Sequence, residues 1–137
     1  MRLPALAVLL LCLAGPAAAI DAADRSAIRR AIHGQLQAFR RDDADGAYAY
    51  ASPGVQGMFP SADRFMSMVE QGYKPVYKSR SHAFGALRET EAGLFQSVRV
   101  KDSDGVDWTA LYALERQPDG TWKISGCQIV REPGEAV

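Results

Sequence analysis

Apolar side chains recur at Ile28, Ile32, Leu36 and Phe39, the i, i+4, i+8 rhythm of one helical face. Arg29, Arg30, His33, Gln37 and Arg40 fall on the other faces, and Asp24 or Ser26 is placed to cap the start. A short second helix is predicted with Asp43 or Asp45 as its cap and residues 47–51 as its body. Ser52-Pro53-Gly54 ends it, because a residue before proline avoids the α region. A third helix starts at Ser61, turns Phe65, Met66, Met68 and Val69 inward, and stops at Gly72. The stretch 73–77 then reads as an extended crossing segment.

From Ser81 the period changes to two, and strands are predicted over 81–89, 94–102, 106–116 and 121–131. Three connections, Glu91-Ala92-Gly93, Ser103-Asp104-Gly105 and Pro118-Asp119-Gly120, each end in glycine, the form of a type I turn closed by a left-handed bulge. They pair Thr90 with Leu94, Asp102 with Val106, and Gln117 with Thr121. Carried across the sheet, this register puts even-numbered residues on one face: Phe84, Ala86, Val98, Val100, Trp108, Ala110, Tyr112, Leu114, Trp122, Ile124 and Val130. The odd face sets Arg99 beside Thr109, Lys101 beside Asp107, and Glu115 beside Lys123, partners suited to solvent. Helices first and a meander second make an α+β fold, with N-terminal helices packed on a curved four-stranded antiparallel sheet around a cone.

That arrangement resembles the nuclear transport factor 2-like superfamily, also called SnoaL-like or cystatin-like (NTF2-like). A closer resemblance, from Ala27 to Val130, is to DUF4864, a bacterial domain of unknown function. It is carried by 35–40 (QLQAFR), 50–54 (YASPG), 72–77 (GYKPVY), 84–88 (FGALR) and 110–120 (ALYALERQPDG), with Trp122 and 124–127 (ISGC). The superfamily resemblance implies a cavity, pairing of copies through their sheets and, in some relatives, isomerase or dehydratase chemistry by a cavity carboxylate or histidine with a tyrosine.

The amino terminus changes where this domain is expected to act. Met1-Arg2, an apolar run from Ala5 to Ala14, and Ala17-Ala18-Ala19 have the form of a cleavable signal peptide cut after Ala19. The run is short for a bilayer span and follows Pro4, and Leu11 before Cys12 does not suit a lipoprotein site. Residues 20–137 then form one secreted or periplasmic domain of 118 residues, 137 less the 19 removed. With Arg2 gone, 15 basic residues face 16 acidic ones, a net −1 that argues against nucleic acid as a partner. With Cys12 gone, Cys127 has no intramolecular disulfide partner, and burial as a small hydrophobe is the expected state.

No phosphate-binding glycine loop, nucleophile elbow, His-Glu-x-x-His or Cys-x-x-Cys occurs. Neither His33 nor His82 has a ligand-spaced partner on its own element, so no metal and no cofactor is expected. His33 reads as solvated surface and His82 as a cavity-rim residue, while Cys127 is assigned to the face opposite His82. The expected pocket draws on Tyr50, Tyr77, His82, Gln96, Tyr112 and Gln128, polar groups on an otherwise apolar surface, with Gly126 opposite Tyr112 leaving room. A plain aromatic core is the competing arrangement. Three functions follow. One is a binding domain for a small apolar or amphipathic ligand, and a second is an isomerase or dehydratase using a cavity His or Tyr. The third is self-association as a homodimer through an outer apolar strip of Phe95, Leu111, Ala113, Cys127 and Ile129.

Overall fold

Asp21 opens the first helix, α1 (Ala22–Arg40), in the computed structural model, which describes residues 19–133. The leader expected over 1–19 lies outside the described residues, apart from Ala19. The cap is Asp21 rather than Asp24 or Ser26: its carboxylate accepts the Asp24 N–H at 2.8 Å, and Asp24 accepts the Asp21 N–H at 3.1 Å. Asp24 also accepts from Arg116 at 2.9 Å and from the Trp122 indole at 3.3 Å, which ties the helix start to the sheet. Asp43 caps α2 (Ala44–Ala49) as expected. Ser52 does not terminate that helix into a loop; it caps a further one, α3 (Pro53–Met58), with Pro53 in the first turn, where its missing N–H is not needed. Ser61 caps α4 (Ala62–Gly72), again as expected. The segment read as extended is instead a single helical turn, α5 (Lys74–Tyr77), with Pro75 near its start, where proline is tolerated.

The sheet is an antiparallel meander in the order β1 (Ser81–Thr90), β2 (Gly93–Lys101), β3 (Asp107–Arg116), β4 (Trp122–Arg131). Two turns have the expected register: Asp102 N–H donates to Val106 O at 2.9 Å, and Gln117 N–H to Thr121 O at 2.7 Å. Their glycines, Gly105 and Gly120, take φ of +79° and +86°. The first turn is one residue tighter, with Thr90 opposite Gly93 instead of Leu94.

Two bulges then shift the faces. In β1, Phe84 pairs with Val98 but Leu87 with Gln96, so one extra residue is absorbed between them. Because the tighter turn and the bulge offset one another, His82 and Phe84 still face the helices, whereas Leu87 replaces the exposed Ala86. In β4, Leu114 pairs with Ile124 but Ala113 with Gly126, leaving Ser125 unpaired. Beyond it the alternation inverts: Cys127 and Ile129 turn inward, and Gln128 and Val130 turn outward, Val130 being 62% exposed. Gln128 and Val130 are thus not inner-face residues, Cys127 and Ile129 leave the outer strip, and Tyr112 faces Cys127 rather than Gly126.

The helices close over this surface along a seam. Ser52 N–H donates to Ile124 O at 2.9 Å and Ile124 N–H donates to Tyr50 O at 2.8 Å, a parallel bridge between Ala51 and β4. Ile28, Ile32 and Leu36 of α1 and Val98, Val100, Ala110 and Tyr112 of the sheet are the most completely buried part of the core between them, each at most 1% exposed. Among the described residues, no helix is long and apolar enough to cross a membrane.

Candidate functional site

Between α3, α4 and β4 the layers do not fill the cone, leaving a cavity of about 200 Å³. Phe39, Val55, Phe59, Phe65, Val69 and Ile124 form its apolar wall, and Met58, 69% exposed, lies at its rim. Its depth carries the polar groups. Gln35 is buried and donates to Ala47 O at 3.2 Å, so it is already satisfied. Tyr112 is 1% exposed, and its hydroxyl has no nitrogen or oxygen partner, only the weakly accepting Cys127 sulfur nearby. Burial pushes that phenol well above its usual titration range, and the adjacent Cys127 thiol acts in the same direction.

Tyr112 is the only one of the six expected pocket residues that lines this cavity. The ring of Tyr50 lies against α1, where a Cβ on Gly34 would overlap its hydroxyl. The Tyr77 hydroxyl donates to Asp42, which raises the phenol to about 12, the bond counting more than burial. Gln96 is buried with Nε2 donating to Gly85 O at 3.0 Å, Ala86 O at 3.4 Å and Ser97 O at 2.9 Å; it holds the β1 bulge. Gln128 faces solvent because of the Ser125 bulge. The residues that sequence reasoning missed, Val55, Met58 and Phe59, come from the unforeseen α3 and its end, and Cys127 from the unforeseen bulge. The Ser52-Pro53 cap signal in the sequence could have found α3.

Cys127 is half-buried, and the loss of water around its sulfur raises the thiol to about 12. At pH 8 its alkylation by iodoacetamide is expected to run roughly a thousandfold slower than that of an ordinary exposed thiol, because so little thiolate is present. Unfolding in denaturant should restore the rate, and rapid labelling of the folded protein would contradict the raised pKa. Cys127 and His82 both face the helices, contrary to the opposite-face expectation, but they sit on β4 and β1, the two edge strands.

His82 lies outside the cavity lining and meets His33 instead, Nε2 to Nδ1 at 3.2 Å, so His33 is not merely solvated surface. One nitrogen must donate and the other accept, so the contact is lost if both rings become charged. Phe84 packs edge-on against His82, and Arg29 lies over the Phe84 ring. Burial lowers the pKa of His82, with His33 and Arg40 adding to the effect. A lowered native value means the unfolded chain binds the proton more readily. Stability should therefore fall as pH drops below the ordinary histidine value of about 6.5 and level off below the native one. The thermal midpoint should decline between neutral and mildly acidic pH, and His82→Gln should flatten that decline. An unchanged slope in the variant would remove His82 as the cause. Among the described residues, no three His, Cys, Asp or Glu side chains gather as a metal-binding group.

Helices on one face of a four-stranded antiparallel meander, around an apolar cavity, define an NTF2-like fold. A similar solved structure is an NTF2-like protein of unknown function from Shewanella baltica OS155, with a TM-score of 0.56 at 12% identity. The match covers 82% of this chain and 96% of that one. The chain belongs to the DUF4864 family, a domain of unknown function, which it matches over residues 21–137. No curated relative matches the sequence.

Proposed function

We propose that this chain is a secreted or periplasmic binding domain that holds a compact apolar or amphipathic ligand in its cone. The observation that carries this reading is the Tyr112 hydroxyl, buried with no nitrogen or oxygen partner on the wall of an apolar cavity. An unsatisfied buried hydroxyl is destabilising by about 1–3 kcal/mol, and a ligand oxygen would satisfy it. The cavity is smaller than the roughly 300–1,000 Å³ of drug-sized sites, so it suits a small molecule or one end of a longer chain leaving past Met58. The leader sequence supports export. The outer face, with Phe95 half-buried, Leu111 36% exposed and Val130 62% exposed, supports pairing of two copies through the sheet. An isomerase or dehydratase would need a base in the cavity; His82 lies elsewhere, and the Tyr112 and Cys127 protons are held too tightly to serve near neutral pH.

Native mass spectrometry tests this on the full chain made with its own leader in an exporting host. A dimer carrying a discrete excess mass is expected, with that mass lost in Val55→Trp, which fills the cavity wall. A protein free of added mass, together with no change in thermal midpoint when apolar carbonyl or alcohol ligands are supplied in excess, would overturn the binding reading.

A further inference from the structure

A second concavity, of about 340 Å³, lies where the end of α1 meets the α5–β1 connection and the β2–β3 turn. It is lined by Arg40, Lys78, Ser79, Arg80 and Ser103, three cations and two hydroxyl residues, and shares no residue with the apolar cavity. Lys78 is committed to the protein: its Nζ donates to Phe39 O at 3.3 Å, Arg40 O at 3.0 Å and Asp42 Oδ2 at 2.9 Å. Asp42, which neutralises it, is held below the usual carboxylate range by Tyr77 first and Lys78 second. Arg80 uses one guanidinium nitrogen on Ser103 O at 2.8 Å, which orients the planar group and leaves its other donors available. Arg40 makes no ion pair among the described residues. The nearby acids are occupied or turned to solvent: Asp102 accepts from the Trp108 indole and from its own turn, and Asp104 is exposed.

Ser79 adds an independent observation. The residue is 3% exposed, and its Oγ is buried with no hydrogen-bond partner. This buried hydroxyl lacks an acceptor and belongs to a residue that lines the concavity together with Arg40 and Arg80, and a tetrahedral oxyanion held there would accept from all three. We infer that this concavity is an oxyanion site, taking an inorganic phosphate or the phosphate group of a larger molecule between Arg40, Arg80 and Ser79. It goes beyond the apolar cavity and does not depend on it.

The test titrates inorganic phosphate into the full-length exported protein at constant ionic strength, with chloride as the control, following backbone amide shifts by NMR. Saturable shifts at residues 78–80 and 103 with phosphate but not chloride are expected. Arg40→Gln and Arg80→Gln should each weaken the affinity about tenfold. Ser79→Ala should weaken it while leaving thermal stability unchanged or higher, since it removes an unsatisfied group; that pairing separates a binding role from a structural one. Co-sedimentation with phosphatidylglycerol but not phosphatidylcholine vesicles, competed by phosphate, would assign the oxyanion to a lipid headgroup. Saturable phosphate binding without sedimentation would assign it to a soluble molecule. A response linear in salt and shared by chloride, or one that survives both arginine substitutions, would overturn the site.

Discussion

Truncating Tyr112 to alanine lowers the unfolding free energy by about 3–5 kcal/mol, the range for emptying a large aromatic site in a core that relaxes only in part. Tyr112 is 1% exposed and faces the helices from the middle of β3, so little can move in to replace it. Tyr112→Phe should act in the opposite direction and stabilise the free protein by about 1 kcal/mol, since it deletes a buried hydroxyl that has no nitrogen or oxygen partner. Urea unfolding of the three proteins at equal m-value measures both. The same Phe variant should bind the cavity ligand more weakly, a trade of affinity against stability centred on one oxygen. If Tyr112→Phe proves clearly less stable than the parent, the hydroxyl has a partner in solution, and the argument for a waiting ligand group fails.

Gln96→Leu should be destabilising by about 2–3 kcal/mol although it swaps a polar core residue for an apolar one. The reason lies in the backbone: the Gln96 amide answers carbonyls at Gly85 and Ala86, the two residues within which β1 shifts register. Without it those groups meet an aliphatic side chain. A slip of β1 by one residue then becomes accessible, and it would turn His82 and Phe84 away from the helices. Loss of the His33–His82 contact would be visible as an altered imidazole titration by NMR. Unchanged stability in Gln96→Leu would show that the bulge is held by other interactions.

The helix faces, the caps at Asp43 and Ser61 and all four strands were legible because each rests on local rules: apolar period, a capping side chain, a glycine turn. Lys101 beside Asp107 and Glu115 beside Lys123 were legible for the same reason, as turn counting fixes their pairing. The pocket was not, because its composition depends on α3, whose Ser52-Pro53 start reads as a stop, and on a single-residue insertion in β4, where the alternation in sequence is unbroken. Nothing in Ser125-Gly126-Cys127 announces which residue is skipped, since a serine, a glycine and a cysteine all tolerate either face. Gln96 shows a related failure: a polar residue on an apolar face read as a ligand group, and its partner is the irregular backbone of the neighbouring strand. Tyr50 and Tyr77 likewise found partners in Gly34 and Asp42, residues distant in sequence that no periodicity connects to them.

The bridge between Ala51 and Ile124 also sets an order in time. Its two sides are separated by most of the chain, so the loop that closes it is long and its entropy must be met by contacts formed elsewhere first. When the chain is delivered amino end first, as in export across a membrane, helices and the first hairpin can form while this seam still lacks its second half. Ala51 and Val55 on one side and Ile124 to Cys127 on the other are the walls of the cavity. The pocket is thus among the last parts of the molecule to form, completed only when β4 has emerged to lie against the helices.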